Sequence, residues 1–165
     1  MRYDIIAASP SDLHQAISMD LCRQIAIHLK GNQCIGRAAP YDVRLPDYVG
    51  QPNNEISTVV QPDIIVVCDP GKLDDRGVVG APDLVIEISS PVTAEHDLVT
   101  KFNLYERVGV KEYWIVQPID KTVMVFKLRH RTMTFDLFAR YGSRGKVPVP
   151  LLGDLVIDLA EVFAD

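Results

Sequence analysis

Four residues carry groups that could act together in hydrolysis. They are Asp63 in QPDIIVVCD (61–69), Asp83 and Glu87 in APDLVIEISS (81–90), and Lys101 in DLVTKFNLYERVG (97–109). Side chains alternate across a strand, so Asp63, Ile65 and Val67 share one face of the first segment, and Asp83, Val85, Glu87 and Ser89 one face of the second. If the segments pair as a hairpin centred near residue 75, positions 63 and 87 fall opposite each other. Opposite Cβ atoms lie roughly 5 Å apart. Two carboxylates at that spacing repel unless a cation lies between them, and hard oxygen ligands suit Mg²⁺ or Mn²⁺. Such an ion acidifies a bound water and polarises a phosphate, which is the chemistry of phosphodiester hydrolysis. Asp83 is four strand residues from Glu87, about 13 Å along the strand, too far to share one ion. Asp63 with Glu87 is the favoured pair, and Asp83 is the second-tier candidate that a register slip would promote.

Each of these residues also has a structural role to set beside the chemical one. An acidic pair on neighbouring strands often marks a solvent-facing edge, but both segments here are nearly continuous apolar runs, as when both faces are covered. A buried carboxylate without a partner costs several kcal/mol or gives up its charge. Asp83 follows Pro82 at a strand entrance and could simply cap the turn. Lys101 could pair with Asp97 one helical turn away, or reach the acids, orient water and offset developing charge. His14 and His96 are possible general bases, although a lone helical histidine is more often structural.

The elements that must hold these groups are legible in outline. Ser11 can cap a helix running to about Lys30, with Leu13, Ile17, Leu21, Ile25 and Leu29 as its buried stripe. CIGRAAPYDVRL (34–45) reads as a first strand, PDYVGQPNNEIS (46–57) as loop, and PGKLDDRGVVG (70–80) as a turn-rich connection between the Pro-Asp strands. Pro91 or Thr93 opens a second helix with Leu98, Phe102 and Tyr105 on its apolar face, and Gly109 ends it. EYWIVQP (112–118) is a buried strand, KTVMVFKLR (121–129) and MTFDLFARY (133–141) a hairpin, and LVIDLAEVFAD a closing helix. This is a mixed α/β order in one domain over residues 1–165.

Composition narrows the setting. No apolar run approaches the ~18 residues of a membrane span, and Asp4 interrupts the start where a signal peptide would be apolar. Cys22, Cys34 and Cys68 are odd in number and lack CxxC spacing, which suggests neither a disulfide framework nor a zinc site and reads as a reduced, cytoplasmic protein. The net charge of −5 argues against indiscriminate coating of nucleic acid. Yet Lys127–Lys146 holds six basic residues and one acid, Asp136, either a solvated hairpin face or a phosphate-contacting patch.

The series SPSDLH (9–14), VQPDIIVV (60–67), GAPDLVIEISSPVT (80–93), Asp97, Lys101, Tyr105 and GVKEYWIVQP (109–118) resembles the Uma2 family of restriction endonucleases. The resemblance implies the PD-(D/E)XK fold: a central mixed β-sheet flanked by helices, in the order α-β-β-β-α-β, plus a C-terminal hairpin. It also implies metal-dependent hydrolysis of DNA, with Asp63 and Glu87 as metal ligands, assisted by the carbonyl of Ile88. The lysine of the (D/E)XK element is absent from the strand, where Ser89 stands, and Lys101 on the following helix matches it. A homodimer is expected, since many such nucleases cut both strands as dimers. The rival readings are a catalytically silent module that binds nucleic acid or protein, and a hydrolase of small phosphodiesters.

Overall fold

The computed structural model describes residues 10–90 and 94–165, the side chains of 94–97 excepted. The helix α1 (Asp12–Leu29) begins where Ser11, in extended conformation, accepts the His14 N–H on its hydroxyl at 3.1 Å. Ile17, Leu21, Ile25 and Leu29 are its buried stripe. Leu13 stays 41% exposed, because the stripe reaches the core only from the second turn.

After α1 the chain forms β1 (Ile35–Ala38), β2 (Val43–Leu45), β3 (Thr58–Val60), β4 (Ile64–Val67), β5 (Leu73–Asp74), β6 (Gly77–Val79) and β7 (Leu84–Ile88). Then come α2 (Ala94–Val108), β8 (Glu112–Gln117), β9 (Thr122–Arg129), β10 (Thr134–Tyr141), β11 (Lys146–Pro148), β12 (Val156–Asp158) and α3 (Leu159–Val162). Among the described residues, six strands form the main sheet in the order β1-β4-β7-β8-β9-β10. β7 and β8 are parallel, joined across α2, and the other pairs are antiparallel. The fold is mixed α/β, as the sequence predicts, but within the expected closing helix LVIDLAEVFAD only Leu159–Val162 is helical, and Val156–Asp158 forms β12 against β11.

The two faces of the sheet are covered differently. The α1 stripe packs on Ile64, Val66, Ile86, Trp114 and Val125. On the opposite face, Leu98, Phe102 and Tyr105 of α2 meet Ile65, Val85, Tyr113 and Ile115. Phe102 lies edge-on to Phe126 and Phe135, at ring-centroid distances of 5.1 and 5.2 Å. Gly109 ends α2 with φ +88°, a left-handed conformation that glycine adopts without strain.

Three further expectations are corrected. Residues 34–45 are not one strand: β1 joins the main sheet, and β2 joins a four-stranded sheet ordered β3-β2-β6-β5. The connection 70–80 supplies β5 and β6 to that second sheet, because Val78 alternates into the core beside Val43 and Leu45. Gly77 permits this pairing, since a Cβ there would sit 2.2 Å from the Asp42 carbonyl oxygen. Finally, Cys34 and Cys68 form a disulfide. The Ile35↔Val67 register sets them opposite on adjacent strands, a proximity that sequence spacing hides. Cys22 remains a free thiol. No helix among the described residues is long and apolar enough to cross a membrane. The opening of α2 at Pro91 or Thr93 lies outside the described residues.

Candidate active site

The hairpin β4–β7 has an internal two-fold character that explains why its sequence contains Pro-Asp twice. The pairs Ile64↔Ile86, Ile65↔Val85 and Val66↔Leu84 continue to set 63 opposite 87 and 83 opposite 67. Each aspartate stands just before its strand and closes the ladder where it runs out. Asp63 Oδ2 accepts the Ile88 N–H at 2.7 Å, and Asp83 Oδ2 accepts the Cys68 N–H at 2.7 Å. Both therefore satisfy a backbone donor at a strand end, which is reason enough for an acid to sit there.

What surrounds the two ends is different. Asp83 Oδ1 binds the Lys111 ammonium at 2.8 Å, so that end is an ordinary ion pair. At the other end, Asp63 Oδ1 faces His14 Nε2 at 3.4 Å, and Glu87 stands across the hairpin. α2 delivers two more groups one turn apart. Lys101 Nζ lies 3.4 Å from Glu87 Oε2, and the Tyr105 hydroxyl donates to Glu87 Oε1 at 2.7 Å. Asp63, Glu87 and Lys101 are thus gathered at one place, while Asp83 is held apart. The side chains of His96 and Asp97 lie outside the described residues.

Electrostatics at this end are strained by burial. Glu87 is 5% exposed, and desolvation pushes its carboxyl up to about 7 from 4.5. The Lys101 charge pulls it back down, the Asp63 charge raises it again, and the Tyr105 hydrogen bond lowers it. Burial, then the Glu87 charge, drives the Tyr105 phenol far up, so Tyr105 is a neutral donor. A carboxyl poised near neutrality beside a second acid and a lysine marks a functional site more often than a structural one.

The family model of Uma2, described as "Putative restriction endonuclease", matches residues 4–149 of the 165. The chain belongs to the Uma2 family. Among solved structures it is similar to one from Anabaena variabilis described as "a putative nuclease belonging to DUF820". The TM-score is 0.71 at 19% identity, over 95% of this chain and 83% of that one. No curated protein matches the sequence. The likeness shows that the Uma2 chain shares the fold of that structure.

The donor chemistry of this Uma2 site fits a hard divalent cation. Asp63 and Glu87 offer oxygen only, and a cation between them would offset both the burial that chiefly raises the Glu87 carboxyl and the smaller repulsion from Asp63. No group of three or more His, Cys, Asp or Glu among the described residues is arranged to hold an ion. Mg²⁺ is commonly held by one or two carboxylates with waters completing its shell, so two acids are sufficient.

Two members of the cluster were not placed there by sequence reasoning. Tyr105 reads as one more apolar-face residue, although it follows Lys101 by four and so shares its helix face. His14 carries no spacing signal toward Asp63, since it comes from the first turn of α1. Its Nδ1 is buried and has no hydrogen-bond partner among the described residues, unusual for a purely structural histidine.

Proposed function

We propose that this Uma2 protein is a divalent-metal-dependent endonuclease hydrolysing DNA phosphodiester bonds. The observation that carries the reading is the placement of Asp63 opposite Glu87 on adjacent strands with Lys101 3.4 Å from Glu87. Asp63 and Glu87 would hold Mg²⁺ or Mn²⁺, which when bound supplies charge for the phosphate and an acidified water. Tyr105 fixes the Glu87 carboxylate through a buried hydrogen bond. Lys101, partly exposed, offers its ammonium to water or to charge growing on the phosphate oxygens. DNA as substrate goes with a cytoplasmic setting, and cutting both strands from one such site per chain goes with a homodimer.

The test is cleavage of supercoiled plasmid and single-stranded DNA in Mg²⁺, Mn²⁺ or EDTA. Wild type should cut only with metal, and Asp63→Asn, Glu87→Gln and Lys101→Ala should each lose cutting. Full activity in Glu87→Gln would refute the assignment. The absence of a strand lysine, with Ser89 in its place, favours a second reading: a silent module binding nucleic acid or protein. That reading predicts no cleavage and no Mg²⁺-dependent rise in melting temperature.

A further inference from the structure

The basic hairpin resolves into committed and uncommitted charges. Arg129 pairs with Asp136, Lys146 binds Asp158, and Lys127 lies 3.7 Å over the Phe138 ring. Arg131, Arg140 and Arg144 are exposed and make no ion pair among the described residues. The strand register separates Arg140 from Arg131. Glu87 pairs with Ile115, Ile115 with Met124, and Met124 with Arg140. Residues directly opposite share a face, so Arg140 leaves the sheet on the face of Glu87, in the same cross-strand row. Arg131 instead sits in the β9–β10 turn at the other end of the hairpin.

Two residues beyond Ile115 and Met124, the half-buried Gln117 and Thr122 pair across β8 and β9, with the threonine hydroxyl donating to the glutamine oxygen at 3.2 Å. They form a polar, uncharged rim at the sheet end between Glu87 and Arg140. Three strand spacings of about 4.8 Å put the Glu87 and Arg140 backbones about 14 Å apart. One DNA strand carries a charge every ~3.4 Å of axis, so that interval spans about four phosphates.

Building on the endonuclease reading, we propose that Arg140 is a phosphate-contacting subsite. DNA backbone lying across the Gln117–Thr122 rim is gripped there a few nucleotides from the bond cut at Glu87. The acidic pair would repel a polyanion, and an uncommitted guanidinium on the same face offsets this at a fixed distance.

The experiment measures binding of a short DNA duplex in EDTA as salt rises, for wild type, Arg140→Ala and Arg131→Ala. One lost phosphate contact removes about 0.9 from the slope of log K against log salt, or roughly 3.5-fold of salt sensitivity between 50 and 200 mM. Arg140→Ala should show that reduced slope, and in Mg²⁺ a raised KM at unchanged kcat. Arg131→Ala, which removes the same charge elsewhere, should leave the slope unchanged. Equal slopes for wild type and Arg140→Ala, or an equal loss in both variants, would overturn the subsite while leaving the nuclease reading standing. Failure of wild type to bind any duplex would overturn the subsite, while the nuclease reading stands or falls on the cleavage assay.

Discussion

Replacing Glu87 by glutamine should abolish metal-dependent activity and at the same time stabilise the metal-free protein. The carboxyl is held at about 7 against an ordinary 4.5, so the folded state keeps a proton that the unfolded chain has released. The contribution of that proton is fully present below about 4.5 and is lost as pH rises to about 7, beyond which it is flat. At 1.36 kcal/mol per pH unit, the gap between 4.5 and about 7 amounts to about 3 kcal/mol of stability forfeited by the ionised acid above neutrality. Glutamine has no charge to desolvate, and its amide oxygen still accepts from the Tyr105 hydroxyl. For a chain of this size 3 kcal/mol corresponds to roughly 6–12 °C in Tm. Denaturant unfolding of wild type and Glu87→Gln in EDTA should therefore show the variant ahead by about 3 kcal/mol at pH 8.5, and by no more than about 1 kcal/mol at pH 5. Added Mg²⁺ should raise the wild-type Tm and leave the variant where it was. A variant less stable than wild type at pH 8.5, or a difference independent of pH, would show that Lys101 and Tyr105 outweigh burial and that the derivation is wrong.

Other substitutions probe the remaining parts of the site. Tyr105→Phe removes a hydrogen bond to a buried carboxylate, so it should cost about 1.5–3 kcal/mol above pH 7, and the acid limb of the pH–activity profile should move to higher pH. Asp83→Asn keeps an acceptor for the Cys68 N–H and loses only an ion pair whose lysine is half exposed; stability should fall by less than about 1 kcal/mol and cleavage should persist. Replacing Cys34 and Cys68 by alanine opens a loop of 34 residues' separation, which should lower stability by about 3–4 kcal/mol, read by denaturant unfolding with and without reductant. Because that disulfide sits at the end of β4 away from Asp63, plasmid cleavage should survive its loss.

The Asp63–Glu87 pairing was legible because strand alternation and a hairpin centre are enough to set a register. The capped stripe of α1 and the glycine stop of α2 were legible for similarly local reasons. The second sheet was not, because β2, β3, β5 and β6 hold two or three residues each, too short for a period to show. Nor was the Cys34–Cys68 bond, which depends on how the edge strand β1 pairs, and no residue in IGRA announces that partner. His14 was visible as a histidine and invisible as a neighbour of Asp63, since 49 residues of chain separate them and only the packing of α1 brings them together.

The doubled Pro-Asp clamp also bears on how such a chain can change over generations. Asp63 serves the backbone through one oxygen, on the Ile88 N–H, and faces the proposed reaction centre with the other. An asparagine could keep the first duty and drop the second. Architecture and chemistry are thus separable at that position by a single atom. A lineage could retire the enzyme while inheriting the scaffold intact, and descendants that only bind would fold as well as those that cut.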